Sequence, residues 1–96
     1  MTKEDILAYL KEHKEEFAKK YGVKDIALFG SYARDEANED SDIDIVISMP
    51  PKYSNLFNLK EDLEKALKKQ IDLIRLRDKM NKYLKNRIDK EAIYVW

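Results

Sequence analysis

With 96 residues, 19 basic and 19 acidic side chains and no cysteine, the chain has room for one hydrophobic core and carries no formal net charge. That balance argues against a protein built mainly to coat nucleic acid or an anionic membrane, and the absence of cysteine removes disulfides, thiol nucleophiles and Cys-based zinc sites. A lone histidine builds no metal site by itself, no apolar run approaches a membrane span, and the charged start Met1 to Asp5 opens no signal peptide, so the expectation is one cytoplasmic domain, residues 1–96.

Thr2-Lys3-Glu4-Asp5 has the form of a capping box. Ile6, Leu10, His13 and Phe17 then recur at helical spacing until Gly22, which predicts one amphipathic helix. Asp25 to Phe29 reads as a short buried strand, and Ser31 to Ala37 as a brief helix entered directly after Gly30. Ile43 to Ser48 is the second strand, with Ile43, Ile45 and Ile47 facing away from Asp42 and Asp44. Pro50-Pro51 ends it, and Ser54 is the expected cap of a helix with an apolar stripe of Leu56, Leu59, Leu63, Ala66 and Leu67. A third strand covers Ile71 to Leu76. Asp78 is the expected cap of a last helix bearing Met80, Tyr83, Leu84 and Ile88, and Ile93 to Trp96 forms an edge strand. Strands alternating with helices imply an α/β fold, a small mixed β-sheet with helices packed on one face and the other left for chemistry.

The residues that carry chemistry lie at strand ends. Asp42 and Asp44 project from the same side of a strand, about 6.6 Å apart along it. Asp72 is an isolated charge among Ile71, Leu73 and Ile74, costly to bury without a partner, and pairing of its strand beside Asp44 would make three carboxylates converge. Such a cluster repels itself unless a cation compensates. Magnesium suits an all-oxygen site, and two such ions about 3.5 to 4 Å apart would hold the attacking and leaving oxygens of a displacement on phosphorus. In that reading Asp42 and Asp44 bridge the ions, while Asp72 completes one and accepts the proton of the attacking hydroxyl. Gly30 lets backbone amides approach an anion at a strand-to-helix turn, Ser31 adds a hydroxyl, and Arg34 lies one turn on, facing either a phosphate or the nearby acids. Two other readings fail: an EF-hand loop would need glycine at Ile45 and glutamate at Pro51, and a P-loop would need its Gly-Lys-Ser/Thr step.

Charge is unevenly distributed. Residues 35 to 44 hold six acids and no base, and residues 75 to 90 seven bases and two acids, so a polyanion would meet one end of the molecule first. The basic run reads as a solvated helix face, with RNA contact as the lesser alternative. Tyr94 and Trp96 read as a seal on the sheet edge, or else as an interface anchor.

Gly30-Ser31-Tyr32-Ala33-Arg34, Ser41-Asp42-Ile43-Asp44 and Ile71-Asp72-Leu73 together resemble the minimal nucleotidyltransferases of the DNA polymerase beta superfamily, over nearly the whole chain. The resemblance implies a palm-like nucleotidyltransferase fold. It implies a Gly30-Ser31 turn holding the triphosphate of ATP, a less defined role for Arg34, and two Mg2+ ions on Asp42, Asp44 and Asp72. Many relatives place glycine directly after the arginine, where this chain has Asp35, a departure that bears on the turn and on the charge near the triphosphate. The members most similar to this chain are antitoxins paired with a helical HEPN-type ribonuclease toxin. The resemblance therefore implies an antitoxin that transfers AMP from ATP to a tyrosine of its partner in a hetero-oligomer, or a catalytically silent one that neutralises by binding alone. Larger nucleotidyltransferases append a helical domain for base and acceptor. The chain reaches Trp96 without one, so the acceptor site is expected from the partner.

Overall fold

The computed structural model describes residues 1–96. The first helix, α1 (Lys3–Glu12), begins at the expected capping box: the Thr2 hydroxyl accepts from the Asp5 amide at 3.1 Å, and the Asp5 carboxylate accepts from the Thr2 amide at 3.0 Å. The amphipathic segment is nevertheless two helices, because it breaks at His13 before α2 (Lys14–Tyr21). The His13 ring packs on Tyr9 with centroids 4.1 Å apart, and its Nδ1 lies 2.9 Å from the Tyr9 carbonyl, competing with the backbone ladder at that turn. Gly22 ends α2 in the left-handed conformation at φ 73°.

The sheet contains β1 (Asp25–Phe29), β2 (Ile43–Ser48), β3 (Ile71–Arg75) and β4 (Ile93–Tyr94) in the order β3-β2-β1-β4. β1 runs antiparallel to β2 and β4, whereas β2 and β3 are parallel and joined by the crossover helix α4 (Tyr53–Leu67). α4 starts one residue ahead of Ser54, with Lys52 at its cap and no side-chain cap bond. The Lys52 amide already closes the Pro50 turn at 2.8 Å and directs the chain into the helix. The last helix, α5 (Lys82–Glu91), is capped by Asn81 rather than Asp78: the Asn81 side chain accepts from the Tyr83 and Leu84 amides at 2.8 and 3.2 Å. The expected Ser31–Ala37 helix contracts to a single turn, α3 (Gly30–Ala33), because Asp35 turns the backbone to φ 60°.

Alternation along the strands divides the core in two. On one face Ile26, Leu28, Ile43, Ile45, Ile47 and Ile71 pack against Ile6 and Leu10 of α1, Phe17 and Tyr21 of α2, and Leu59, Leu63 and Leu67 of α4. Ala66 of the expected stripe is exposed. Tyr21 donates a hydrogen bond to Asp62, which also pairs with Lys20 at 3.2 Å, joining α2 to α4. The opposite face is not wholly open, because Ile88 of α5 and the preceding Met80 cover Ala27, Phe29 and Val46. Burial of those small and aromatic groups draws α5 over the middle of the sheet and confines the polar part of that face to one end. The C-terminal residues seal the edge as expected. The Val95 amide donates to the Ile26 carbonyl at 3.0 Å, and the Trp96 indole donates to the Leu10 carbonyl near the end of α1 at 3.0 Å. No helix is long and apolar enough to cross a membrane.

Candidate active site

The site forms where β1 ends and β2 and β3 begin. The register pairs Phe29 with Asp44 across the β1–β2 ladder and Asp44 with Asp72 across β2–β3. Two carboxylates thus stand directly opposite each other on neighbouring strands, an arrangement that is destabilising for two anions. Partial burial of Asp44, followed by the negative charge of Asp72 and then Asp42, pushes its pKa from 3.8 up to about 6, with Arg34 opposing the rise.

Gly30 is fitted to this pair. Its φ is 73°, and a Cβ there would collide with Asp44 Oδ2 and lie 3.0 Å from Asp44 Cγ, so the turn has room only for glycine beneath the carboxylate. The one turn of α3 then begins, with Ser31 half-buried beside it; so short a helix leaves its first amides free of intrahelical partners.

Asp42 lies just ahead of β2 and is exposed. The loop that delivers it is held by its own side chains and by Lys69 from beyond α4: Asn38 Oδ1 accepts from the Asp40 amide at 2.9 Å, Ser41 Oγ accepts from the Asn38 amide at 3.0 Å, and Lys69 Nζ donates to the Glu39 carbonyl at 2.7 Å. Asp42 shares the polar face of β2 with Asp44 by alternation, but no three acidic or histidine side chains are gathered into a ready cation cage. The structure therefore brings together Gly30, Asp44 and Asp72, sets Ser31 next to them, and leaves Asp42 on the rim. Oxygen-only donors under mutual repulsion fit a divalent cation of the magnesium type, which Asp44 and Asp72 would hold with Asp42 drawn in.

Arg34 is bound on both sides. Its Nε donates to Glu36 at 3.1 Å and its Nη1 to Glu91 of α5 at 2.9 Å, and these carboxylates hold the guanidinium firmly charged. Glu91 also accepts from Arg87 Nε at 3.0 Å, and the Arg87 guanidinium lies 5.4 Å above the Phe29 ring. Sequence reasoning gave Phe29 and Glu91 no role at the site and read Arg87 only as part of the solvated basic helix face. The i,i+4 spacing of Arg87 and Glu91 is legible, but the link from Glu91 to Arg34 depends on α5 crossing the sheet. Asp35, where the resemblance implies glycine, occupies a left-handed position at φ 60° and pairs with Lys3 Nζ at 3.1 Å. The backbone there takes the conformation that favours glycine.

The Nucleotidyltransferase domain family matches residues 10–95. A Methanocaldococcus jannaschii protein, provisionally named a protein adenylyltransferase, is 44% identical over 98% of this chain and 98% of its own length. Protein adenylyltransferase MntA of Thermococcus cleftensis is 35% identical, over 99% of this chain and 97% of its own length. Among solved structures, one provisionally described as a minimal nucleotidyltransferase superposes with a TM-score of 0.79 at 29% identity, covering 97% of this chain and 95% of that one. A second, the tri-AMPylated HEPN toxin of Shewanella oneidensis in complex with its MNT antitoxin, gives 0.65 at 21% identity over 94% of this chain and 71% of that one, a likeness of fold.

Proposed function

The chain belongs to the nucleotidyltransferase domain family, and from that membership we propose that it is an antitoxin transferring AMP from ATP to a tyrosine hydroxyl of a HEPN-type toxin in the cytoplasm. The observation that carries the reading is the placement of Gly30 directly beneath Asp44, with Asp72 opposite: an anion-accepting turn and an acidic pair share one end of the sheet. A protein adenylyltransferase relative and the fold shared with an antitoxin bound to an AMPylated toxin support the acceptor class.

The positions support the following roles. Backbone amides at Gly30 and Ser31, with the Ser31 hydroxyl, hold the triphosphate, and Arg34 offers its remaining donors to the outer phosphates. Asp42, Asp44 and Asp72 hold Mg2+, two ions in the full reading, which when bound offset the charge of the phosphates. Asp72, the exposed residue of β3, accepts the proton of the attacking tyrosine. The tyrosine oxygen forms the new bond to the α-phosphorus, the bond from that phosphorus to the bridging oxygen breaks, and pyrophosphate leaves with the electron pair.

The test is incubation with α-labelled ATP, magnesium and host lysate beside an Asp42→Asn, Asp44→Asn control. A labelled protein that requires both magnesium and the aspartates is the expected result; equal labelling by the control would overturn the assignment. The exposed position of Asp42, outside any three-carboxylate cage, favours one alternative. A silent antitoxin would neutralise its partner without ATP and with both aspartates replaced.

A further inference from the structure

A groove of about 700 Å³ opens between the start of α4 and β3, and neither member of the acidic pair lines it. Tyr53 and Phe57 stand in it at 85% and 61% exposure, values that no other aromatic side chain of the molecule combines so closely in sequence, and Leu73 forms its floor. Lys60, Arg75 and Arg77 line its rim, with no acid among its lining residues. None of the molecule's ion pairs involves these three cations. Arg75 and Arg77 instead donate to the Met49 and Arg75 carbonyls at 2.8 and 3.3 Å. Apolar area is thus held at the surface inside a ring of unneutralised positive charge.

β3 is also an edge strand, with β2 on one side only. In its parallel ladder the Gln70 carbonyl accepts from Ile43 and the Leu76 amide donates to Ile47, so the even-numbered residues turn toward β2. Leu73 then turns its amide and carbonyl outward, on an edge where Glu64 accepts from the Ile71 amide at 3.1 Å and Arg77 donates to the Arg75 carbonyl at 3.3 Å, leaving the groups of Leu73 between them open. Two copies pairing through this edge would bring both sets of cations together, which disfavours self-association. Single-stranded RNA would match the charge and the aromatic rings but would leave the strand's backbone groups unpaired.

We propose that the groove and the open edge of β3 dock an extended, acidic polypeptide segment with an apolar side chain at its centre, belonging to the acceptor protein. The segment pairs with the backbone at Leu73, seats its apolar side chain between Tyr53 and Phe57, and places its acids on Lys60, Arg75 and Arg77. Asp72 immediately precedes Leu73 on the same strand, so a partner bound along this edge passes beside the acidic pair. This rests on the transfer proposed above and gives that transfer its acceptor-docking surface.

The test takes the protein that the full chain labels from α-labelled ATP, purifies it and titrates it back. Tyr53→Ser with Phe57→Ser, and separately Lys60→Glu with Arg77→Glu, alter exposed side chains outside the nucleotide site. Each pair is expected to raise the partner concentration for half-maximal labelling at least about tenfold and to leave the ATP dependence unchanged. The Leu73 amide is expected to exchange more slowly with deuterium in the complex. Unchanged partner dependence, an equal loss of ATP affinity, unprotected Leu73, or displacement of the partner by a single-stranded RNA dodecamer would each overturn the docking surface while leaving transfer intact. If no protein is labelled at all, the transfer reading itself fails, and the docking proposal falls with it.

Discussion

Asp44 and Asp72 are direct cross-strand neighbours in the only parallel pairing of the sheet, so the molecule places like charges where strand pairing would otherwise be stabilised. The arrangement is costly to the fold, and a bound divalent cation would offset that cost. Asp44→Asn should therefore abolish nucleotide transfer and, in chelator at pH 8, stabilise the protein. The rise of the Asp44 pKa to about 6 would correspond to about 3 kcal/mol in full, and solvent screening of this partly buried group reduces it to about 1 kcal/mol. A thermal melt should show a gain of about 4 to 8 °C for a domain of this size. A lower melting temperature would contradict the assigned cost of burying the Asp44 charge beside Asp72.

The same pair sets a pH dependence. Because the folded-state pKa of Asp44 lies above its unfolded value, the native state holds the extra proton between about pH 4 and pH 6, and stability falls as pH rises through that window. Urea midpoints in chelator should decline from pH 5 to pH 7.5 in the wild type, and this component should vanish in Asp44→Asn. Magnesium should restore the midpoint at pH 7.5 and do much less at pH 5, where the proton competes for the same oxygens. An equal effect of magnesium at both values would place the ion elsewhere.

Periodicity and punctuation made the strands readable: Ile43, Ile45 and Ile47 alternate cleanly, and Pro50, Gly22 and Gly30 mark real ends. The pairing of Asp44 with Asp72 was conditional on strand order, which depends on the α4 crossover. Caps were less legible. Ser54 and Asp78 have the right chemistry, but the Pro50 turn and the Asn81 side chain decide where the helices begin. The break at His13 was hidden because its cause, a ring reaching back to Tyr9, leaves the apolar spacing intact. Arg34 and Glu91 meet from positions 57 residues apart, a contact without any local signature.

Asp35 offers a test of backbone strain. At φ 60° glycine is freest, aspartate is tolerated and alanine is disfavoured, so stability should follow the order Gly, Asp, Ala. The span should be about 1 to 2 kcal/mol by urea unfolding. Loss of the exposed Lys3 pair subtracts little from the glycine variant, since such pairs contribute about 0 to 1 kcal/mol. An alanine variant as stable as glycine would show that this turn relaxes.

Trp96 closes the fold through one indole donor and its packing on the larger core cluster. Trp96→Phe keeps most of the ring and removes the bond to the Leu10 carbonyl, which should cost about 1 kcal/mol. Trp96→Ala also removes the packing of a half-buried side chain and should cost about 2 to 3 kcal/mol in total. Equal losses in the two variants would assign the whole effect to the hydrogen bond.

Arg34 separates phosphate binding from simple ion pairing. Glu36 and Glu91 engage Nε and Nη1, and the rest of the guanidinium remains to meet an anion in the geometry they impose. Arg34→Ala should weaken ATP binding about tenfold, equivalent to about 1.4 kcal/mol. Arg34→Lys should not restore it, because an ammonium cannot keep both carboxylates and still present a planar fork. Glu91→Gln keeps the cation but loosens its orientation, so a smaller loss of affinity, about two- to fourfold, should accompany an unchanged maximal rate. Titration with a fluorescent ATP analogue and magnesium measures all three. Wild-type affinity in Arg34→Lys would make this residue a structural tie between α3 and α5.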